Sequence, residues 1–332
     1  MNIGIIGFGE MGQIRAKAIK NAGRGEVRSV FDNNMELDFQ GYSVASSALD
    51  IIKNPTIDTV FVCTPNYLNK EMTIEGLKSG KHVFCEKPPA FTSKDVIEIK
   101  EIEAASGKKL MYGFNHRHHS SVKNMKSLIC SGEYGKVLWM RGRYGKSVDK
   151  NFFDTWRAKR KYAGGGILLD QGIHMLDLFL FLGGKFDQAS AFVSNCYWKG
   201  DIEDNVFAIL KNTKTNMVAS LHSTMTQWRH LFSLEVFLSQ GYMVLNGLRT
   251  SSKTYGDEIL SIAKNRSTAP AATWEDEEKI TYHDDKSWRS EVDHFFDAIQ
   301  QNKDVDIGNS EDALNVMQII ETIYRSDPSY EC

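Results

Sequence analysis

The feature that most constrains the fold is a glycine turn close to the amino terminus. The stretch GIIGFGEMG places Gly7, Gly9 and Gly12 in the spacing G-x-G-x-x-G between an apolar strand and a helix. The next predicted strand ends at Asp32, 20 positions beyond Gly12. In this context Gly7 permits a tight turn, Gly9 lets the backbone approach a pyrophosphate, and Gly12 allows helix and strand to pack closely. The pattern predicts a dinucleotide site at the start of a Rossmann domain.

Strands and helices alternate through the first third of the chain. The predicted strands lie at 3–6 and 27–31 and in the segments DTVFVCTPN, KHVFCEKPP and KLMYGFN. The predicted helices lie at 11–22, 47–53, 71–79 and 93–106. This alternation indicates β-α-β crossovers, and therefore a doubly wound parallel sheet.

The second half has a different pattern, in which consecutive strands are joined by short turns. Helices are predicted at 121–131, 164–182, 288–301 and 310–325, and strands in KVLWMRGRYG and at 189–198, 205–211, 217–226 and 232–239. We therefore expect an α/β protein with a Rossmann domain at 1–117 and an α+β domain at 118–332. The second domain is expected to hold a large open, mostly antiparallel sheet, and the last helix to pack back on the first domain.

The composition excludes several classes of protein. The chain has 40 basic and 42 acidic side chains, so no charge excess favours nucleic acid or a membrane surface. The five cysteines, Cys332 among them, are scattered without a C-x-x-C pair, and no apolar run approaches the roughly 18 residues that span a bilayer. We expect a cytoplasmic protein. Because few helices are available to cover the open sheet, its second face is expected to form a homodimer or homotetramer.

The predicted cofactor is NAD. Asp32 is expected to accept hydrogen bonds from the adenosine ribose, and a carboxylate at this position disfavours the 2′-phosphate of NADP. Neither Asn33 nor Asn34 adds a compensating positive charge. Further contacts are expected where strands end, since open α/β sheets bind ligands at the carboxyl ends of their strands. The full predicted cofactor set is Gly7, Phe8, Gly9, Glu10, Met11, Gly12, Asp32, Asn33, Thr64, Pro65, Asn66, Glu86 and Lys87.

Lys87 is also a candidate catalytic residue. It stands in the sequence EKPP, where Pro88 fixes its own φ and restricts the residue before it. A lysine on a stiff loop near the cofactor can polarise a substrate oxygen. By position alone, a solvated surface lysine is the simpler interpretation.

The stretch GGGILLDQGIHMLD supplies a second candidate group. Asp170, His174 and Asp177 have the spacing i, i+4 and i+7, which predicts that they share one helix face. An aspartate beside a histidine suits general acid–base chemistry, because histidine titrates near neutrality and a carboxylate can orient it. The alternative is a helix cap and a core histidine. Zinc is disfavoured because no third ligand lies nearby.

Several further polar residues border the predicted cleft. The run NHRHH at 115–119 suggests a metal, but adjacent side chains point in different directions, so no metal site is predicted. Basic residues before the GGG motif are interpreted as a solvated loop rather than an anion site; they are Arg141, Arg143, Lys146, Arg157, Lys159, Arg160 and Lys161. The predicted substrate contacts are Asn115, Arg117, Trp156, Arg157 and Tyr162.

Taken together, GFGEMG, CTPN, GKHVFCEKP, WR at 156–157 and GGGILLDQGIHMLD resemble the Gfo/Idh/MocA oxidoreductases over nearly the whole chain. The resemblance implies NAD(P)-dependent oxidation or reduction of a sugar, polyol or related alcohol. It also implies that Lys87, Asp170 and His174 line the catalytic site. One departure is Asn69, where the family often has a histidine; we interpret this position as peripheral to the chemistry.

These residues predict a mechanism and leave two rivals open. His174 is expected to remove the substrate hydroxyl proton, Lys87 to stabilise the developing alkoxide, and Asp170 to hold the hydroxyl or the histidine. One rival keeps NAD bound and uses it transiently, as in NAD-dependent glycoside hydrolysis or coupled oxidation and reduction of two sugars. The other is a non-catalytic dinucleotide-sensing regulator, which retention of all three groups disfavours.

Overall fold

The computed structural model describes residues 1–330, so residues 331 and 332 of the predicted second domain, including Cys332, lie outside it. The helices are α1 Glu10–Ala22, α2 Ala48–Lys53, α3 Asn66–Lys78, α4 Ser93–Ser106, α5 Ser120–Cys130, α6 Arg160–Ala163, α7 Ile173–Gly183, α8 Ser287–Gln300 and α9 Ser310–Ser326. The strands are β1 Asn2–Ile6, β2 Glu26–Phe31, β3 Thr59–Val62, β4 His82–Cys85, β5 Leu110–Tyr112, β6 Val137–Ser147, β7 Gln188–Ser194, β8 Asn205–Lys211, β9 Val218–Thr224, β10 Thr226–Leu238, β11 Gly241–Asn246, β12 Glu258–Lys264 and β13 Glu278–Tyr282.

The chain forms two compact units. Within residues 1–330, the first comprises residues 1–115, 161–164 and 287–317, and the second comprises 116–160, 165–286 and 318–330. The predicted division at 117/118 therefore lies two positions from the first change of unit. The main difference is the segment 287–317, which the structure places in the first unit. The prediction assigned it to the second domain, with only the last helix packing back on the first.

The first unit contains a five-stranded parallel sheet in the order β2-β1-β3-β4-β5. This order confirms the predicted doubly wound Rossmann architecture. The helix predicted at 71–79 is longer than expected, because α3 begins at Asn66 directly after Pro65. Proline suits a helix start, since its ring sets the backbone dihedral without needing an N–H donor.

Packing explains why α8 belongs to the first unit. Its residues Phe295 and Phe296 are fully buried in one apolar cluster with Ile3 and Ile5 of β1. The ring of Phe295 also lies 5.7 Å from that of Phe84, in an edge-on contact. A helix that buries its apolar face against this sheet folds with the sheet, even though it follows the second domain in sequence.

The second unit contains an eight-stranded sheet in the order β13-β12-β11-β10-β6-β9-β8-β7. The pair β6–β9 is parallel and its other pairs are antiparallel, which confirms the predicted large, mostly antiparallel sheet. Strands β11, β12 and β13 were not predicted. At Gly142 of β6, an added Cβ would lie 2.4 Å from Met175 and 2.7 Å from Phe179 of α7, so the glycine lets this helix approach the sheet.

The helix pattern at 164–182 differs from the prediction. Residues Leu168–Gly172 form a π-helical segment that leads directly into α7. The segment Arg160–Gly183 comprises α6, a bend at 164–166, the π-helical segment and α7, and by length and composition it is apolar enough to cross a membrane. No such run was predicted from the sequence. Of the most apolar part of this segment, 78% is buried within the protein, as in the core helix of a globular fold.

Candidate active site

The glycine turn has the geometry of a phosphate-binding loop. Gly7 has φ +88°, and an added Cβ would lie 2.4 Å from the carbonyl oxygen of Cys63. A Cβ on Gly12 would lie 2.1 Å from the carbonyl oxygen of Gly7, whereas nothing lies within 4 Å of the Cβ position of Gly9. Helix α1 begins at Glu10 without a side-chain cap. The amino end of α1 therefore presents backbone N–H groups and the positive end of the helix dipole beside an open approach.

Asp32 is fixed at the end of β2. One carboxylate oxygen accepts the backbone N–H of Phe8 at 2.7 Å, and the other accepts that of Asn34 at 2.9 Å. The carboxylate is thereby tied to the glycine turn itself. Because each oxygen has a second lone pair, it can still accept ribose hydroxyls. The donor and acceptor set of this loop fits NAD.

Hydrogen bonds within the first unit hold the TPN segment, residues 64–66, in place. Pro65 immediately precedes α3, and the Asn66 amide donates to the carbonyl of Ala163 at 2.8 Å. The Thr64 hydroxyl donates to the side-chain oxygen of Asn69 at 3.0 Å. Contacts from these residues to a cofactor stay predictions.

Asn69 has a larger role than the sequence suggested. Its side chain is fully buried, and its amide donates to the backbone carbonyls of Glu86 at 3.2 Å and Pro88 at 2.8 Å. These two carbonyls flank Lys87, which is half-buried. Asn69 therefore holds the backbone of the EKP loop on both sides of the candidate catalytic lysine.

Glu86 belongs to a buried ion triad. The guanidinium of Arg15, on α1, binds Glu86 at 2.6 Å and Glu291, on α8, at 2.5 Å. It also lies between two aromatic faces, 4.3 Å from the Phe84 ring centre and 4.7 Å from that of Trp288. Burial alone lowers the pKa of Arg15, but the two carboxylates outweigh it and raise that pKa. The triad connects α1, the end of β4 and α8.

In the second unit, Asp170 lies within the π-helical segment. Its carboxylate is 3.2 Å from the ammonium of Lys146, which lies one residue before the end of β6 and belongs to the basic group interpreted as solvated. A π turn inserts a residue relative to an α-helix and is frequently found at functional sites. The simple helical spacing of Asp170 and His174 assumed from the sequence therefore does not describe their geometry.

A buried carboxylate holds the turn before Asp170. Glu203 is fully buried and accepts the backbone N–H groups of Gly166 at 2.8 Å and Leu168 at 3.1 Å. It also accepts the hydroxyls of Tyr324 at 2.8 Å and Tyr330 at 2.7 Å. A Cβ on Gly166 would lie 2.1 Å from the Glu203 carbonyl oxygen. The GGG motif thus serves close packing against Glu203.

His174 is stacked on a second histidine. Its ring centre is 3.9 Å from that of His116 and the two planes differ by 15°. His116 Nε2 lies 3.0 Å from the Tyr144 hydroxyl. Tyr144 hydrogen-bonds Tyr255, whose oxygen accepts the amide of Gln171 at 2.8 Å.

Two buried tyrosines lie beside the stacked histidine rings. Burial raises the pKa of both Tyr144 and Tyr255, so each phenol keeps its proton. Tyr144, on β6, therefore lies between Tyr255 and His116, within hydrogen-bond distance of the His116 ring. The sequence drew attention to the NHRHH run but gave no signal for this partnership.

Asp177 and Arg117 bind each other. Arg117 is 2% exposed and donates to both carboxylate oxygens of Asp177, at 2.8 and 2.6 Å. This fork-to-carboxylate pair commits Asp177 to a structural ion pair rather than to the face of Asp170 and His174. A substrate contact from Arg117 stays a prediction.

The other predicted substrate contacts lie in both units. Asn115 donates to the Ser287 hydroxyl at 3.3 Å, and the Tyr162 ring lies 5.2 Å from that of Tyr67. In the second unit, the Arg157 guanidinium covers the Trp156 ring at 4.5 Å. Within residues 1–330, no three His, Cys, Asp or Glu side chains are grouped to hold a metal ion.

Comparison with known protein families shows the family to which this chain belongs. A family model described as an oxidoreductase family with an NAD-binding Rossmann fold matches residues 1–114. The C-terminal domain model of the same family matches residues 122–244. The chain belongs to the Gfo/Idh/MocA oxidoreductase family. Its first unit is therefore an NAD-binding Rossmann domain.

Individual members of the Gfo/Idh/MocA family share part of this sequence. Levoglucosan dehydrogenase of Pseudarthrobacter phenanthrenivorans is 32% identical over 210 residues, which cover 58% of this chain but only 54% of that protein. Myo-inositol 2-dehydrogenase of Thermotoga maritima is 27% identical over 271 residues, 78% of this chain and 79% of that protein. A solved levoglucosan dehydrogenase with NADH and L-sorbose superposes with a TM-score of 0.87 at 23% identity, covering 98% of this chain and 96% of that one. This superposition shows a shared fold.

Proposed function

We propose that the protein is an NAD-dependent oxidoreductase that interconverts a secondary alcohol and a ketone on a sugar, polyol or sugar derivative. The observation that carries the proposal is the pairing of acid–base groups with a cofactor domain: Asp170 and the stacked His174 occupy consecutive turns in a chain whose first unit matches an NAD-binding family. The names of two relatives, a levoglucosan and an inositol dehydrogenase, support the substrate class.

The proposed chemistry assigns one role to each group. Bound NAD supplies the hydride acceptor. His174 takes the proton of the substrate hydroxyl during oxidation and returns it during reduction. Lys87 contributes positive charge that stabilises the developing alkoxide, and Asp170, paired with Lys146, orients the hydroxyl or the histidine.

NAD is proposed rather than NADP because of Asp32. Its carboxylate is fixed beside the glycine turn by the Phe8 N–H, and both asparagines that follow are exposed and uncharged. A 2′-phosphate at this place would meet negative charge with no counter-charge from these residues.

The cytoplasm is the proposed location, in keeping with the free thiols of Cys63, Cys85, Cys130 and Cys196.

The test is to follow NADH absorbance after the purified protein and NAD are mixed in turn with free sugars, polyols, glycosides and nucleotide sugars. We expect one substrate class to produce NADH in proportion to ketone. If no NADH accumulates while a glycoside is cleaved or one sugar is reduced as another is oxidised, the cofactor is recycled and the transient-use alternative is correct. NAD binding without turnover of any compound would favour the sensing alternative.

We further propose that the exposed face of the eight-stranded sheet joins copies of the chain. On this face Phe192 is 78% exposed, Phe207 50% and Ile209 51%, and Phe192 pairs directly with Phe207 across β7 and β8. Exposed apolar side chains in one patch are typical of a protein interface. Sedimentation of the wild-type protein is expected to give the mass of a dimer or tetramer. The Phe207→Glu variant is expected to sediment as a monomer or smaller assembly. A wild-type monomer at assay concentration would contradict this proposal.

A further inference from the structure

Several strands of the second unit end together at one end of its sheet. Ser194, the last residue of β7, pairs with Asn205, the first of β8, and Asn205 pairs with Thr224 at the end of β9. Thr224 pairs in turn with Gly145 near the end of β6. The chain segments that follow β6, β7 and β9 therefore leave the sheet at the same end.

These segments and the start of β10 carry a row of aromatic side chains, here called the aromatic ridge, formed by Phe152, Phe153, Trp198, Tyr197 and Trp228. Successive ring centres lie 5.3 Å apart from Phe152 to Phe153, 5.1 Å from Phe153 to Trp198, 4.9 Å from Trp198 to Tyr197, and 5.6 Å from Tyr197 to Trp228. Contacts at these separations form one continuous aromatic surface.

The outer end of the aromatic ridge is exposed, and the turn that carries Tyr197 and Trp198 is held in place. Trp228 is 75% and Tyr197 53% exposed. The buried carboxylate of Asp204 accepts the three backbone N–H groups of residues 196–198, at 2.8 to 2.9 Å. The indole N–H of Trp198 donates to the Met225 carbonyl at 3.1 Å. The exposed Tyr197 ring is thus presented from a fixed turn, which lowers the entropy cost of binding a ligand.

The inner end of the aromatic ridge begins beside Asp170. The ammonium of Lys146 lies 5.0 Å from the ring centre of Phe152 and 3.2 Å from the Asp170 carboxylate. Lys146 therefore connects the proposed catalytic carboxylate to the ridge. A ligand group held at Asp170 has aromatic surface next to it, within the same unit of the protein.

A sugar ring fits this surface. One face of a pyranose presents C–H bonds that stack on an aromatic ring, while the hydroxyl groups at its edge stay in water. A partly exposed row of Trp and Tyr rings meets both requirements, because each ring has an apolar face and a polar atom. We propose that the aromatic ridge binds a second sugar ring, so that the substrate is a disaccharide or larger glycoside whose other ring is oxidised at Asp170 and His174.

This inference rests on the proposed function, and its test uses substrates that differ only in the second ring. For the hexose that yields NADH, kcat/KM is measured on the free hexose, its methyl glycoside and its 1,4-linked disaccharide. We expect the disaccharide to be preferred about tenfold or more, the effect of one well-packed aromatic contact. Trp228→Ala is expected to remove that preference by raising KM for the disaccharide, with kcat and the free-hexose kinetics unchanged.

A matched control is Trp274→Ala, since Trp274 is 84% exposed but outside the aromatic ridge; it should leave all three substrates unaffected. Equal kcat/KM for hexose and disaccharide would overturn the inference. So would a Trp228→Ala variant that sediments at a lower mass than wild type, which would make the ridge an interface between copies.

A binding measurement separates this inference from the proposed function. Titration of the protein with oligosaccharides is expected to change tryptophan fluorescence in the wild type and not in Trp228→Ala. If no carbohydrate yields NADH but this change is seen, the proposed oxidoreductase function fails and the sugar-binding ridge stands. If turnover is seen without any Trp228-dependent change, the ridge is overturned.

Discussion

Replacing His174 with alanine is expected to lower kcat by about 10²–10⁴-fold, the usual cost of losing a general acid–base group. The affinity for NAD is expected to stay the same, because the predicted cofactor contacts include the glycine turn and Asp32 but not His174. The measurement is steady-state NADH formation on the substrate found in the panel, with NAD binding followed separately by fluorescence titration.

Two further variants make the His174 result specific. His174→Asn keeps a polar side chain of similar size and should lose as much activity as the alanine variant, since asparagine does not titrate. His283→Ala removes an exposed histidine just after β13 and should keep full activity. Wild-type kcat in both His174 variants would show that another group carries the proton.

Replacing Arg15 with methionine is expected to lower the free energy of unfolding by about 3–5 kcal/mol, because it leaves two buried carboxylates without their counter-charge. Glu291 is fully buried and Glu86 nearly so, and the guanidinium is enclosed between Phe84 and Trp288. Urea unfolding followed by circular dichroism measures the loss.

The control for Arg15 is an exposed pair of the same chemistry. Arg28 binds Glu26 at 2.8 Å with both side chains more than half exposed, so Arg28→Met should change stability by at most about 1 kcal/mol. Glu291→Gln, which retains a hydrogen-bonding side chain, should cost less than Arg15→Met. Equal unfolding midpoints for Arg15→Met and wild type would contradict a stabilising triad.

The first unit was predictable because its signals are local. The helix predicted at 93–106 matches α4, which begins with a Thr92–Asp95 capping box and ends before Gly107 in a left-handed conformation. The glycine turn likewise depends on residues within one β-α-β unit. The strand predicted at 189–198 ended too late, because residues 196–198 are held on Asp204 instead of pairing with β8.

The sequence supplied the candidate site residues but not their arrangement. Asn69 looked peripheral because its role depends on two backbone carbonyls in another loop. Glu203 belongs to no recognisable sequence motif. The N–H and hydroxyl groups that it accepts lie at no fixed distance from it along the chain. His116 stood in a conspicuous run, yet its stacking on His174 depends on how two distant segments pack.

The sequence by itself determined the Rossmann half, the family and the identity of the candidate catalytic groups. Periodicity, capping and glycine spacing act over a few residues, so they can be recognised without a structure. The tertiary structure alone decided the π turn at Asp170, the stacked His116 and His174 rings, and the placement of α8 in the first unit. It also assembled the aromatic ridge from three separate segments. Each of these depends on contacts between residues far apart in sequence, where no local pattern constrains the partner.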